Sequence, residues 1–128
     1  MAEATKTAEG DKVLDALDAL LAVLRESTRR NQDATRRAQT IQRLRHRGGS
    51  YREILGRVER ELIHQVTREN LDGLLQASSR LRRAEARALY VEGMTMEQIA
   101  ALFGVTRQRV SVLLRDAERG DASPTRHE

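Results

Sequence analysis

Arg107, Gln108, Ser111 and Arg115 follow Thr106 and are separated by steps of one, three and four residues, so in a helix they share one outer face. A guanidinium on such a face can donate two hydrogen bonds to guanine, and a carboxamide suits adenine, each good pair giving about 1–3 kcal/mol of discrimination. These residue types donate and accept hydrogen bonds. Thr106 and Thr95, each at the head of a helical run, can hold phosphate together with the free amides of the first turn. Arg109 falls on the flank of the outer face, which assigns it and Arg115 to phosphate.

Such a face needs a second helix to brace it. Val110, Leu113 and Leu114 supply the inner side of the helix that begins at Thr106. Upstream, Thr95-Met96-Glu97-Gln98 has the form of a capping box and opens a helix whose inward residues are Ile99, Ala100 and Phe103. Gly104 then lets the backbone turn where a Cβ would be strained. Counted from Met96, Ala100 is fifth, Gly104 ninth, Val110 fifteenth and Leu113 eighteenth. A helix-turn-helix asks for this arrangement: a small residue where the helices cross, a glycine in the turn and branched apolar residues beneath the second helix. An ordinary helical pair would bury the same residues, but it would not require the donors on the outer face.

The run from Leu81 through Glu118, centred on LYVEGMTMEQIAALFGVTRQRVSVLLRDA, resembles the DNA-reading region 4 of bacterial sigma factors and the single-domain regulators that share it. By matching position, the resemblance implies that Arg107, Gln108, Ser111 and Val112 contact bases. Gln108 stands where that family commonly has Glu, and Ser111-Val112 replace a more polar pair, so the promoter element that family reads does not carry over. Including GGSYREIL and RENLDGLL, the chain is similar to small actinobacterial helix-turn-helix proteins. Residues 1–79 show no likeness to the sigma-factor regions that open promoters.

Composition agrees with a helical protein. Of 128 residues, 33% are charged and 2% aromatic, and the apolar residues are mostly Leu, Ile, Val and Ala, a mix that disfavours sheets. The formal charge of +4 is uneven: residues 1–24 carry −3, residues 25–47 carry +6 and residues 80–90 carry +3. Basic clusters of this kind suit a polyanionic partner, or else form solvated helix faces. Arg82, Arg83 and Arg87 are candidate backbone contacts. There is no cysteine, so thiolate metal sites are excluded, and His46, His64 and His127 have no metal-binding spacing. No phosphate loop or catalytic carboxylate pair is recognisable, so no enzyme, metal or cofactor is expected. No apolar run approaches the roughly 18 residues of a membrane span, and MAEATKTAEGDK lacks an export-signal pattern. The expected location is the cytoplasm, at the nucleoid.

The chain is expected to be all-α. Residues 1–10 read as disordered, 11–79 as a helical dimerisation or interaction region, 80–120 as the helix-turn-helix domain and 121–128 as a disordered tail. Asp11 is a plausible cap for a helix carrying Leu17, Leu20 and Leu24, continuing more weakly through Asn31, Ala34, Ala38 and Ile41. That spacing allows a two-stranded coiled coil with Asn31 at position a, or a long helix packing within its own chain. Gly48-Gly49 breaks the helix and Ser50 restarts it. The phase blurs around Thr67 to Gly73, compatible with one long helix or two shorter ones, and Ser78 or Ser79 could cap the next helix. The function expected is a dimeric, sequence-specific binder of double-stranded DNA that regulates transcription. The rival readings are a protein partner of RNA polymerase, a sigma factor or an anti-sigma factor, and a non-specific architectural DNA binder.

Overall fold

The computed structural model describes the backbone of residues 2–58 and 63–122 and the side chains of residues 12–58 and 63–119. Among the described residues there are five helices and no strand: α1 (Ala2–His46), α2 (Tyr51–Val58), α3 (Ile63–Val91), α4 (Met96–Phe103) and α5 (Arg107–Ala122). None is long and apolar enough to cross a membrane. The chain divides into two compact units, one holding Leu21–Gln76 and the other joining residues up to Leu20 with those from Ala77 onward.

In the Leu21–Gln76 unit, α1 ends where Gly48 takes a left-handed conformation, φ +99°. The Gly48 N–H donates to the Arg45 carbonyl and the Gly49 N–H to the Leu44 carbonyl, satisfying the last turn of the helix. A Cβ on Gly49 would lie 3.2 Å from the Leu44 carbonyl oxygen and 3.3 Å from Ile54 Cδ1, so the second glycine is needed for closeness, not for φ. Ser50 caps α2 as expected, its Oγ accepting from the Glu53 N–H at 3.2 Å. Ile54 is the buried residue of this short helix.

α3 corrects the reading of the middle of the chain. It runs unbroken from Ile63 to Val91, through Thr67–Gly73 and through Ser78 and Ser79. Neither serine is a helix cap, and the expected boundary between residues 79 and 80 lies inside a helix. Gly73 weakens a helix by roughly 0.5–1 kcal/mol relative to alanine, but here it is where α3 passes Val23 of α1. Asn70 is buried beside the same helix, and its Nδ2 donates to Asn31 Oδ1 at 3.1 Å. Asn31, which the heptad spacing placed in a seam between chains, is thus bonded within its own chain.

α1 also differs at its start. It begins at Ala2, so Asp11 is interior and not a cap, and residues 2–10 are helical rather than disordered. Alanine, glutamate and lysine in that stretch have high helix propensity, which compensates for the missing apolar period. At the other end, α5 continues to Ala122, past the expected limit at Gly120. The rest of the tail lies outside the described residues.

The second unit has a core of Ala86, Ile99, Ala100, Val110 and Leu113. Leu89, Met94, Met96, Phe103 and Leu114 pack around it. Each of α3, α4 and α5 contributes, so the core exists only when the three helices meet.

Candidate nucleic-acid interface

α4 begins with the full capping box. Thr95 Oγ1 accepts from the Gln98 N–H at 3.1 Å, and the Thr95 N–H donates to Gln98 Oε1 at 2.9 Å. The Thr95 amide is therefore not free for a phosphate, whereas its hydroxyl proton still is. α4 ends on Gly104, which is left-handed at φ 71°, ψ 34°. The Gly104 N–H and the Val105 N–H both donate to the Ala100 carbonyl. A Cβ on Gly104 would meet nothing within 4 Å, so the backbone conformation alone is what calls for glycine here.

Thr106 caps α5, its Oγ1 accepting from the Arg109 N–H at 3.0 Å. Val110 and Leu113 are buried beneath α5, and Arg107, Gln108, Arg109 and Arg115 are exposed. Ser111 and Val112 are half-buried, leaving them less of their surface for a ligand than Gln108 has. The outer face read from spacing is thus present, with a guanidinium and a carboxamide at its leading edge.

Several of the expected contacts are already engaged inside the protein. Arg107 Nε lies 3.0 Å from Glu97 Oε2, both side chains being well exposed (63% and 69%). The Arg82 guanidinium lies over the Phe103 ring, 4.2 Å from its centroid, a stacking that positions it without neutralising it. Arg87 Nη1 donates to Glu118 Oε2 at 3.0 Å, so α3 and α5 are joined at that point. Arg83 and Arg109 share a recess with Arg82, Ser78, Ser79 and Asp116. Three of the assigned cations therefore gather at one place. Thr95, Glu97 and Arg107 border a separate recess with Tyr90 and Met94. Charge alone picked out Arg82 and Arg87 as backbone contacts. It did not reveal the Phe103 stacking, the Glu118 pair or the role of Glu97, which depend on which helices cross.

Residues 77–125 match the homeodomain-like domain family. This part of the chain folds as a helix-turn-helix, and the match, which spans less than half of the chain, supports a DNA-binding domain there. The match begins at Ala77, the residue at which the second unit resumes after Gln76. It starts before, and ends beyond, the 80–120 span read from the sequence. No curated protein and no solved structure matches the chain. Among the described residues, no three His, Cys, Asp or Glu side chains are grouped so as to hold a metal ion.

Proposed function

We propose that the protein is a dimeric transcriptional regulator that binds a specific double-stranded DNA sequence by inserting α5, from Thr106, into the major groove. The observation that carries this reading is the exposed Arg107–Gln108 pair at the head of α5, on a helix-turn-helix frame within the homeodomain-like segment. In this reading Arg107, Gln108, Ser111 and Val112 read bases. Thr95, Thr106, Arg109, Arg115, Arg82, Arg83 and Arg87 hold phosphates. The likeness to sigma-factor region 4 is part of this proposal, as are a small actinobacterial type and a place in the cytoplasm at the nucleoid. No catalytic step, metal or cofactor is invoked.

Selection of bound sequences from a random duplex pool tests the reading, because one result reports binding, sequence and half-site symmetry. A single enriched motif is expected. Arg107→Ala with Gln108→Ala should weaken binding to that motif by at least tenfold while leaving random duplex nearly unchanged. Equal affinity for every duplex, with a steep salt dependence, would favour an architectural binder instead.

A second reading is favoured by one observation. Leu102 is the most exposed of the large apolar side chains on α4, and Arg82, Arg87 and Arg107 already have partners within the protein. RNA polymerase, a sigma factor or an anti-sigma factor could dock on such a surface. Under that reading Leu102→Asp abolishes the protein complex, and the Arg107 and Gln108 substitutions do not.

A further inference from the structure

On α3, Ser79, Arg82 and Arg83 precede Ala86 by seven, four and three residues, so they stand on the same side of the helix as that fully buried alanine of the core. On α5, Arg109 and Asp116 bracket buried Leu113 at steps of four and three. Before Ala86, therefore, the groove between α3 and α5 continues with polar walls: Ser78, Ser79, Arg82, Arg83, Arg109 and Asp116 line one recess around Leu113. Its volume is about 260 Å³, below the roughly 300–1,000 Å³ of pockets that take drug-sized ligands, so it suits one small group. Arg82 is held over the Phe103 ring, which positions it without neutralising it. Within the described residues the Arg83 and Arg109 guanidiniums have no ion pair, and the Ser78 and Ser79 hydroxyls make no hydrogen bond. Arg83 is nevertheless half-buried. Asp116, the one carboxylate lining the recess, is paired with Arg119 at 3.8 Å.

We propose that this recess seats one phosphate group, with Arg82, Arg83 and Arg109 supplying charge and Ser78 and Ser79 supplying neutral donors. The proposal rests on the phosphate-binding part of the function proposed above and sharpens it: the three arginines act on a single phosphate, and the two serines are ligands. Guanidinium forks and hydroxyls both donate to phosphate oxygens, which accept only. Three guanidiniums against one carboxylate leave positive charge that no residue of the recess neutralises, and like charges gathered there repel one another until an anion enters. A neutral polar ligand would use the hydroxyls and leave that charge unmet, and an apolar one would bury it without a partner. Asp116 opposes any anion in the recess, so removing its charge should tighten the seat. The same chemistry serves a backbone phosphate of DNA or a free phosphate ion.

The serines discriminate, because loss of an arginine anywhere near α5 weakens duplex binding through charge alone. S78A with S79A removes no charge, and alanine is the better helix former, so the fold is kept. In the full chain, random-sequence duplex is titrated across a salt series, and inorganic phosphate is titrated against chloride at equal ionic strength with the Arg83 and Arg109 Nε–H resonances as reporters. The serine pair should weaken at least one of these ligands by about threefold or more, and D116N should tighten the same ligand. Saturation by phosphate but not by chloride makes the free ion a ligand; a serine effect on the duplex alone makes the DNA backbone the source. With duplex as the source, R83Q with R109Q should lower the salt slope by about one, the value for a single shared phosphate, and not by about two. If S78A with S79A changes neither titration, or if the slope falls by about two, the single-phosphate seat is overturned, and the DNA-reading function still stands on the Arg107 and Gln108 substitutions. A chain that saturates with phosphate and binds no duplex keeps the seat and loses that function.

Discussion

Arg107 has a choice of partners. In the free protein its Nε faces Glu97 Oε2 at 3.0 Å, and in the proposed function the same guanidinium is needed at a guanine. An exposed pair of this kind stabilises by about 0–1 kcal/mol, so Glu97 holds the arginine in place weakly enough to release it. Replacing Glu97 with Gln should therefore tighten binding to random duplex by up to about fivefold and narrow the gap between specific and random sites. Titration of both duplexes at one fixed salt concentration checks this. Weaker binding to the random duplex would instead mean that Glu97 aims the arginine productively. Among the base-reading candidates, Arg107 and Gln108 could be read from their steps after Thr106. Glu97 could not, because its carboxylate meets Arg107 only when α4 and α5 cross.

The elements are short, and their ends are fixed by a few side chains and glycines. α4 has eight residues, too few to hold a helix without caps and tertiary packing. Thr95 and Gln98 close one end and left-handed Gly104 the other. Gly104→Ala should cost about 1–2 kcal/mol, the strain of a left-handed alanine, with no steric contribution because the space around it is open. A lowered Tm with unchanged helical content at low temperature is the expected result. An unchanged Tm would mean that the turn adopts another conformation. Both caps of α4 and the Gly48-Gly49 break were legible in the sequence, because capping boxes and paired glycines act over a few residues. The continuity of α3 past Ser78 and Ser79 was not, although one long helix through Thr67–Gly73 was among the readings the spacing allowed. Gly73 and the two serines signal an end locally, and the packing of α3 past Val23 and around Asn31 overrides them. Truncating Asn70 to Ala should accordingly cost about 0.5–1.5 kcal/mol, the net worth of one hydrogen bond, because the exposed Asn31 regains water. Urea unfolding measures it, and a double substitution of Asn31 and Asn70 by Leu should recover most of the loss.

At the scale of the whole molecule, the basic stretch 25–47 and the basic residues around α5 belong to different compact units. In the basic stretch 25–47, Arg29 and Arg30 pair with Glu26, and Arg36 and Arg37 with Asp33, as on a solvated helix face. Among the proposed phosphate contacts, Arg83, Arg109 and Arg115 have no ion pair within the described residues. If two copies associate as proposed, the association stabilises only folded chain, so Tm should rise with protein concentration. A Tm that stays constant over a hundredfold dilution contradicts a dimer in that range.

What the sequence determined by itself is whatever depends on near neighbours. The all-α class follows from composition and period, the helix-turn-helix frame from Ala100, Gly104, Val110 and Leu113, and the outer face of α5 from the steps between its polar residues. Tertiary structure decided everything that needed two distant segments to meet: the partner of Asn31, the unbroken course of α3, and the engagement of Arg82, Arg87 and Arg107 by Phe103, Glu118 and Glu97. The physical reason is range. Caps, glycine turns and helical periods are settled within about one turn of chain, whereas an arginine's partner is settled by which helix packs against it.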